Sequence, residues 1–179
     1  MSPEEVEQET AALAPGGLVE FTGGEPMLQE RELVPLMERL LARGYTLLLE
    51  TSGERPLERV PQAVHKIVDV KCPGSGECGT FRESNLPVLS QRDEVKFVIA
   101  GRNDYEFARD FTQQHDLQNK VGGVIFSPAF FKNPGKTRDS SNCQLDPRVL
   151  TEWILEDRLN VRLGLQIHKF IWEPATHGV

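Results

Sequence analysis

Two adjacent glycines followed by a glutamate and a proline form the stretch of the chain best suited to bind a small polar ligand. Residues 22–26 read Thr-Gly-Gly-Glu-Pro and directly follow a short apolar run. Gly23 and Gly24 carry no Cβ, so their backbone N–H and C=O groups can approach a ligand closely. Glu25 adds a negative charge that suits an ammonium group, and Pro26 stiffens the exit of the turn. An ordinary strand-to-helix turn would explain these residues equally well.

Four further polar clusters follow predicted strands and add candidate ligand contacts. Residues 50–53 offer two hydroxyl groups, and residues 69–76 hold an aspartate and a lysine before a Cys-Pro-Gly turn. Residues 127–128 and 166–169 lie at the ends of the last two predicted strands. The hydroxyls could instead stabilise a turn, and the lysine could simply be solvated. Since ligands of parallel α/β folds bind where the strands end, we expect the five clusters to meet on one rim.

The elements that must position these clusters alternate in the pattern of an α/β fold with a mostly parallel sheet. Apolar and β-branched runs predict six strands, at residues 18–21, 45–50, 65–71, 93–99, 121–126 and 161–167. Periodic apolar positions and capping residues predict helices at residues 2–14, 31–42, 104–115 and 146–156. Residues 131–145 are polar and contain a Pro-Gly pair, which predicts a loop.

Composition and charge exclude several classes of protein. The chain has 179 residues, 39% of them hydrophobic and 26% charged, which is typical of one globular domain. The net charge of −7 argues against a nucleic-acid or anionic-membrane surface. No apolar run reaches the roughly 20 residues that span a bilayer, and the acidic start does not resemble a signal or transit peptide. We therefore expect a single domain over residues 1–179 that binds neither nucleic acid nor membrane and works in the cytoplasm.

Three cysteines are the remaining candidates for metal or redox chemistry. Cys72 and Cys78 form a C-x5-C pair, which would be half of a zinc site or a redox pair. The chain offers no second pair, and His65 is predicted to lie on the far side of a strand, so ordinary thiols are the favoured interpretation. Cys143 lies in the predicted polar loop and is expected to be inert. A chain without an export signal is not expected to carry a disulfide framework.

Five runs of the sequence, taken in order, resemble one family of radical S-adenosylmethionine (SAM) enzymes. The runs are residues 19–26, 49–53, 69–76, 93–98 and 166–172. The Gly-Gly-Glu-Pro turn resembles the SAM motif of the whole superfamily, whereas the third run and the last are more specific. Together they resemble the 7-carboxy-7-deazaguanine synthases over nearly the whole chain. The resemblance implies an α/β fold, a partial (β/α) barrel of the radical SAM type with six strands and three main helices.

The resemblance also implies which residues bind ligands. The implied SAM contacts are Gly23, Gly24, Glu25, Thr51, Ser52, Asp69, Val70, Lys71, Phe126, Ser127, Pro128 and Ala129. Thr22 and Pro174 would contact the pterin substrate, and no residue is implied as a catalytic group or metal ligand. His168 and Lys169 can face the same pocket if the last strand ends there, although a lone histidine is more often structural.

The implied reaction is a carbon–nitrogen lyase step in the biosynthesis of queuosine, a modified base of tRNA. The family converts 6-carboxy-5,6,7,8-tetrahydropterin to 7-carboxy-7-deazaguanine with loss of ammonia, using SAM, a [4Fe–4S] cluster and Mg²⁺. The family's cluster cysteines and a Mg²⁺ ligand precede the Gly-Gly-Glu-Pro turn, where this chain has no cysteine. The alternatives are a non-catalytic SAM- or pterin-binding domain and a barrel enzyme for an unrelated metabolite.

The start of the sequence, compared with the family, gives a further expectation about the sheet. The chain resembles the family without its first strand, that is, truncated at its N terminus. Residues 18–21 would then border an unpaired sheet edge, and such edges promote self-association. Since family members are often dimers, we expect a homodimer.

Overall fold

A single parallel sheet forms the centre of the computed structural model, which describes residues 1–131 and 137–172. Its strands are β1 (Leu18–Phe21), β2 (Thr46–Thr51), β3 (His65–Asp69), β4 (Glu94–Ile99), β5 (Gly123–Pro128) and β6 (Arg162–Leu163). They lie in chain order across the sheet, and each pairs in parallel with the next. Within the described residues β1 pairs only with β2 and β6 only with β5, so the sheet is an open, partial barrel. The six-strand α/β prediction is confirmed.

Helices fill three of the five strand connections, from β1 to β2, from β4 to β5 and from β5 to β6, and the described residues hold six α-helices in all. They are α1 (Pro3–Leu13), α2 (Glu30–Ala42), α3 (Arg102–Gln114), α4 (Leu117–Lys120), α5 (Pro147–Glu156) and α6 (His168–Ile171). Helix α1 starts with a capping box, in which Ser2 Oγ accepts from Glu5 N–H and the Glu5 carboxylate accepts from Ser2 N–H. Across the parts of the chain that the structure covers, none of the helices has the length and apolarity to cross a membrane.

The two faces of the sheet differ in polarity because strand side chains alternate between them. One face packs under the helices, with Leu49, Val68 and Phe97 fully buried. Phe97 makes edge-to-face contacts with Phe107 and Phe111 of α3. Burying each such side chain contributes about 1.5–3 kcal/mol. The opposite face, on the inside of the partial barrel, carries Glu50, Asp69 and Lys96 at the alternate positions, together with apolar residues such as Ile67.

The last strand is much shorter than the sequence predicts. Residues 161–167 alternate in apolar character, but only Arg162–Leu163 pair with β5, and residues 168–171 form α6. Gly164 N–H still donates to Phe126 C=O over 2.9 Å, and beyond it the chain leaves the sheet. Pro128 ends β5 and has no N–H for a longer ladder. The prediction of a seven-residue strand was wrong.

Smaller boundary differences occur elsewhere. β3 ends at Asp69 rather than at residue 71, although Val70 N–H still donates to Lys96 C=O over 2.9 Å. β5 begins at Gly123 and extends to Pro128. The predicted loop 131–145 contains a short 3₁₀ turn at Ser140–Asn142, and its residues 132–136 lie outside the described residues.

Candidate functional site

The carboxyl ends of β1, β2 and β3 surround a cavity of about 380 Å³. It is lined by Thr22, Gly23, Gly24, Glu25, Glu50, Thr51, Ser52, Glu54, Asp69, Lys71, Glu77 and Thr80. Residues from three of the five clusters predicted from the sequence therefore line one cavity. The lining holds five carboxylates and one lysine, so the cavity favours a ligand that carries positive charge.

Glu25 is fixed in place by the strand end next to its own turn. One carboxylate oxygen accepts from Met27 N–H over 3.0 Å and from Thr51 Oγ1 over 2.7 Å. The other accepts from Ser52 N–H over 2.8 Å and from Ser52 Oγ over 2.6 Å. Burial raises the pKa of Glu25, but the hydrogen bonds from Ser52, Met27 and Thr51 outweigh it and lower the pKa overall. The carboxylate is therefore ionised and preorganised.

The two glycines before Glu25 leave the backbone of the turn open. Gly23 has a φ of +120°, a conformation that side-chain-bearing residues rarely adopt. A Cβ placed on Gly23 or Gly24 would meet no atom within 4 Å, so only the ligand space lies beside them. The backbone polar groups of this turn are thus exposed to the cavity next to a fixed carboxylate, the combination that an ammonium group requires.

Glu50 is a second ordered carboxylate, on the inner face of the sheet. Its Oε2 accepts from Thr22 Oγ1 over 3.0 Å, and its Oε1 lies 2.7 Å from Lys96 Nζ. Burial raises the pKa of Glu50, but the hydrogen bond and charge of Lys96 together with the Thr22 hydroxyl lower it overall. Thr22, predicted to contact the substrate, is thereby joined to Glu50.

Asp69 supplies an acceptor that no described residue satisfies. Its Oδ2 accepts from Lys71 Nζ over 2.7 Å, whereas its Oδ1 is buried and has no hydrogen-bond partner among the described residues. A buried, unpartnered carboxylate oxygen is costly unless a ligand donates to it. Asp69 lines the cavity, so a ligand hydroxyl or amino group bound there would lie near this carboxylate. Val70, between the two residues, points into the core.

The predicted SAM contacts at the end of β5 do not line this cavity. Phe126 is fully buried and packs edge-to-face on Phe97 and Tyr105, under the helices. Ser127 and Pro128 are also buried. Ala129 N–H donates to Ile99 C=O over 2.8 Å, so its backbone continues the ladder to β4. The structure places these four residues on the same rim but two strands away from the cavity.

The predicted contacts near the C terminus do not line this cavity within the described residues either. Lys169 lies in α6 with Nζ 4.5 Å above the Phe130 ring, and Phe130 also packs edge-to-face on Phe170. Burial lowers the pKa of Lys169. His168 is exposed on α6 rather than at a strand end. Pro174 lies outside the described residues.

A second cavity, of about 480 Å³, adjoins the first on the side of β1. It shares Thr22, Gly24 and Glu25 with the first cavity and is otherwise mostly apolar. Side chains of α1, β1 and α2 form its walls, among them Val6, Phe21 and Leu33. The turn at residues 22–26 therefore separates a charged cavity from an apolar one.

The cysteines do not gather into a cluster site. Cys72 and Cys143 are buried, and Cys78 is exposed. Burial, followed by the negative charge of Asp104, raises the pKa of Cys72, and burial also raises that of Cys143. Across residues 1–131 and 137–172, no three His, Cys, Asp or Glu side chains are grouped to hold a metal ion. The described residues therefore do not fit a [4Fe–4S] cluster or a Mg²⁺ site.

Several residues of the cavity were not singled out from the sequence. They are the Glu50 carboxylate, with Lys96 behind it, and Glu54, Glu77 and Thr80 on the outer wall. Strand alternation does place Glu50 and Lys96 on the face opposite Leu49 and Phe97, which was a usable signal. No comparable signal marks the outer wall, because it comes from loops.

Comparison with known proteins finds the same family in several organisms. The chain is 66% identical over 179 residues to the 7-carboxy-7-deazaguanine synthase of Koribacter versatilis, covering all of this chain and 79% of that protein. It is 40% identical over 164 residues to the enzyme of that name from Chlorobaculum tepidum, covering 90% and 68%. No family model matches the chain.

A solved structure shows the same fold. The crystal structure of QueE from Escherichia coli superposes with a TM-score of 0.63 at 20% identity. The match covers 93% of this chain and 64% of that chain, so this chain spans slightly less than two thirds of the structure that it matches.

Proposed function

Because the chain belongs to the 7-carboxy-7-deazaguanine synthase family, we propose that it binds SAM at the ends of β1, β2 and β3 and serves the synthase reaction. That reaction is the conversion of 6-carboxy-5,6,7,8-tetrahydropterin to 7-carboxy-7-deazaguanine with loss of ammonia, a carbon–nitrogen lyase step. The observation that supports SAM binding is the cavity in which five carboxylates and one lysine surround an open glycine backbone.

SAM fits this cavity in charge and in hydrogen-bonding groups. The cavity volume of about 380 Å³ is in the range of small-molecule pockets, roughly 300–1,000 Å³. The ammonium of SAM would bind beside Glu25 and the Gly23–Gly24 backbone, and the unpartnered Asp69 Oδ1 would accept from a ribose or adenine donor. When bound, SAM would supply the group that takes a hydrogen atom from the substrate.

The pterin would bind beside SAM, against Thr22 and Glu50. One edge of a pterin ring presents an N–H and an amino group side by side, and a carboxylate accepts from both. The ionised Glu50 carboxylate on the inner face is suited to that edge. Pro174 remains a proposed substrate contact from the family resemblance alone.

A second candidate function is binding of SAM or pterin without turnover. The observation that favours it is that no three described cysteine, histidine or carboxylate side chains are grouped as metal ligands. The family's cluster and Mg²⁺ would need ligands other than the described residues, and we derive no step through them.

Calorimetric titration with SAM tests the proposed site. We expect SAM to bind and S-adenosylhomocysteine, which lacks the sulfonium charge, to bind more weakly. Gly24→Val fills the open side of the turn and should abolish SAM binding while leaving the unfolding temperature within a few degrees of that of the unchanged protein. Equal binding to Gly24→Val would contradict this placement.

Product formation separates the two candidate functions. After incubation with iron, sulfide and a reductant, the chain is supplied with SAM and 6-carboxy-5,6,7,8-tetrahydropterin. Formation of 7-carboxy-7-deazaguanine supports the synthase. Binding of both small molecules with neither iron uptake nor product supports the non-catalytic alternative.

We further propose that the chain is one domain and forms a homodimer in the cytoplasm. Among the described residues the outer edge of β1 has no partner strand and Leu18 is exposed, which supports self-association. Light scattering after size-exclusion chromatography measures it directly, and a monomer at all concentrations would contradict it.

A further inference from the structure

Lys96 lies next to the candidate site without lining it. The residue is on β4, its side chain is 20% exposed, and it faces the inside of the partial barrel, opposite Phe97. Strand β3 lies between β4 and β2, and the Lys96 side chain extends across it. Its Nζ donates to Glu50 Oε1 over 2.7 Å. Any effect of Lys96 on a ligand in the cavity would therefore act through Glu50.

Glu50 is held at both oxygens by residues from two other strands. Lys96 of β4 binds Oε1, and Thr22, directly after β1, donates to Oε2 over 3.0 Å. Each carboxylate oxygen has a second lone pair, so both can still accept a hydrogen bond from a ligand. The two contacts fix the plane of the carboxylate and leave two parallel acceptors.

The other charged groups nearby do not duplicate the role of Lys96. Asp69 on β3 is the register partner of Lys96 across the sheet, but its carboxylate binds Lys71. Lys71 acts on Glu50 only through its charge. Glu25 lies in the turn after β1, and Glu54 and Glu77 lie on the outer wall of the cavity, all with the same charge as Glu50.

We propose that Lys96 is a positioning residue that holds the Glu50 carboxylate ionised and oriented to accept the paired N–H and amino donors of the pterin ring. The inference rests on the proposed function for its ligand. It assigns to β4 a part in substrate recognition, while SAM binding depends on Glu25 and the glycine turn. Loss of Lys96 should therefore weaken pterin binding and leave SAM binding unchanged.

The first experiment needs no ligand. Carboxyl ¹³C NMR titration of Glu50, assigned with Glu50→Gln, follows its pKa in the unchanged chain, in Lys96→Met and in Lys96→Arg. Met keeps the apolar stem and removes the charge, whereas Arg keeps the charge. We expect the pKa of Glu50 to rise in Lys96→Met and to stay low in Lys96→Arg. An unchanged pKa in Lys96→Met would overturn the proposal.

The second experiment measures recognition with 6-carboxypterin, whose ring fluorescence reports binding. We expect about 10-fold weaker binding to Lys96→Met at pH 7, since a hydrogen bond to a charged group is lost, with recovery in Lys96→Arg. SAM affinity should change less than 2-fold. On acidification, Lys96→Met should lose affinity at a higher pH than the unchanged chain, because Glu50 is protonated more readily without the Lys96 charge. Arg148→Gln removes an exposed ion pair on α5 and serves as the control.

The outcomes separate the inference from the proposed function. If the unchanged chain binds SAM but not 6-carboxypterin, pterin binding is contradicted, both in the proposed function and in the inference about Lys96. The NMR titration then still decides whether Lys96 controls the pKa of Glu50. If it binds both and Lys96→Met binds 6-carboxypterin with the same affinity and pH profile, the inference alone is overturned. Equal weakening of SAM and 6-carboxypterin would show a general structural role and would also overturn it.

Discussion

Replacing Glu25 tests whether the carboxylate is held by the surrounding donors as the structure shows. In Glu25→Ala the N–H groups of Met27 and Ser52 lose their acceptor, and the hydroxyls of Thr51 and Ser52 must find other partners. Each unsatisfied backbone donor costs about 1 kcal/mol at a half-buried position, at the lower end of the usual range. We expect a loss of about 2–3 kcal/mol, and for a chain of this size the unfolding temperature should fall by roughly 5–10 °C.

Glu25→Gln separates the charge from the shape of the side chain. Gln keeps one acceptor oxygen and the volume, so we expect a smaller loss, about 1 kcal/mol at pH 7. The folded state lowers the pKa of Glu25 below its ordinary value of 4.5 because hydrogen bonds to Ser52, Met27 and Thr51 outweigh burial. The stability gained from ionisation is therefore complete above pH 4.5 and is lost as the pH falls through the folded-state pKa. The difference between Glu25→Gln and the unchanged chain should shrink in that acidic range.

Differential scanning fluorimetry at pH 7 and across a pH series below 4.5, with and without SAM, measures both effects. At pH 7 the unfolding temperatures should rank unchanged chain, Glu25→Gln, Glu25→Ala, and neither variant should be stabilised by SAM. Glu152→Gln, on the exposed face of α5, is the matched control and should behave as the unchanged chain. If Glu25→Ala unfolded at the same temperature as the control, the reasoning would be refuted. The same holds if the deficit of Glu25→Gln stayed constant across the whole acidic series, because the carboxylate would then not be preorganised.

Three further changes probe the scaffold. Gly53→Ala places a Cβ 2.7 Å from the Phe81 ring at a φ of +67°, so urea unfolding should show a loss of about 1–3 kcal/mol. Tyr105→Phe removes a hydroxyl that donates to Asp157 Oδ2 over 2.8 Å, and the same measurement should show a loss of about 1–2 kcal/mol. Leu18→Lys charges the exposed edge of β1 and should lower the apparent mass in light scattering at high concentration; an unchanged mass would rule out self-association through this edge.

The parts of the fold that the sequence predicts are those set by local rules. The Ser2 cap, the helix periods and the glycine turn after β1 all depend on neighbouring residues, and they agree with the structure. The length of β6 depends on the hydrogen-bond donors of its partner strand β5, and Pro128, the last residue of β5, has no N–H. Leu163, Leu165 and Ile167 alternate as a strand would, yet all three are exposed.

The candidate site was predictable to the level of strand ends and no further. The rule that ligands bind at those ends predicts that residues 22–26, 50–53, 69–76, 127–128 and 166–169 meet on one rim. Residues of the first three clusters line the cavity, whereas those of the last two do not. The bond between Lys96 and Glu50 depends on the register of three strands at once, which the alternation of one strand cannot supply. The outer wall at Glu77 depends on loop conformation, for which no local rule was available.

The two ordered carboxylates of the cavity, Glu25 and Glu50, differ in what compensates their charge. This difference favours a different kind of ligand at each of them. Glu25 is held by neutral donors only, and no described cation lies within ion-pair distance of it, so its negative charge remains available to a positively charged group. Glu50 is paired with Lys96, so its charge is largely compensated while its lone pairs stay oriented. A cationic ligand such as SAM is thus favoured at the glycine turn, and a neutral ring edge with paired donors at the inner face. Since both carboxylates are fixed before any ligand arrives, neither ligand has to order them on binding.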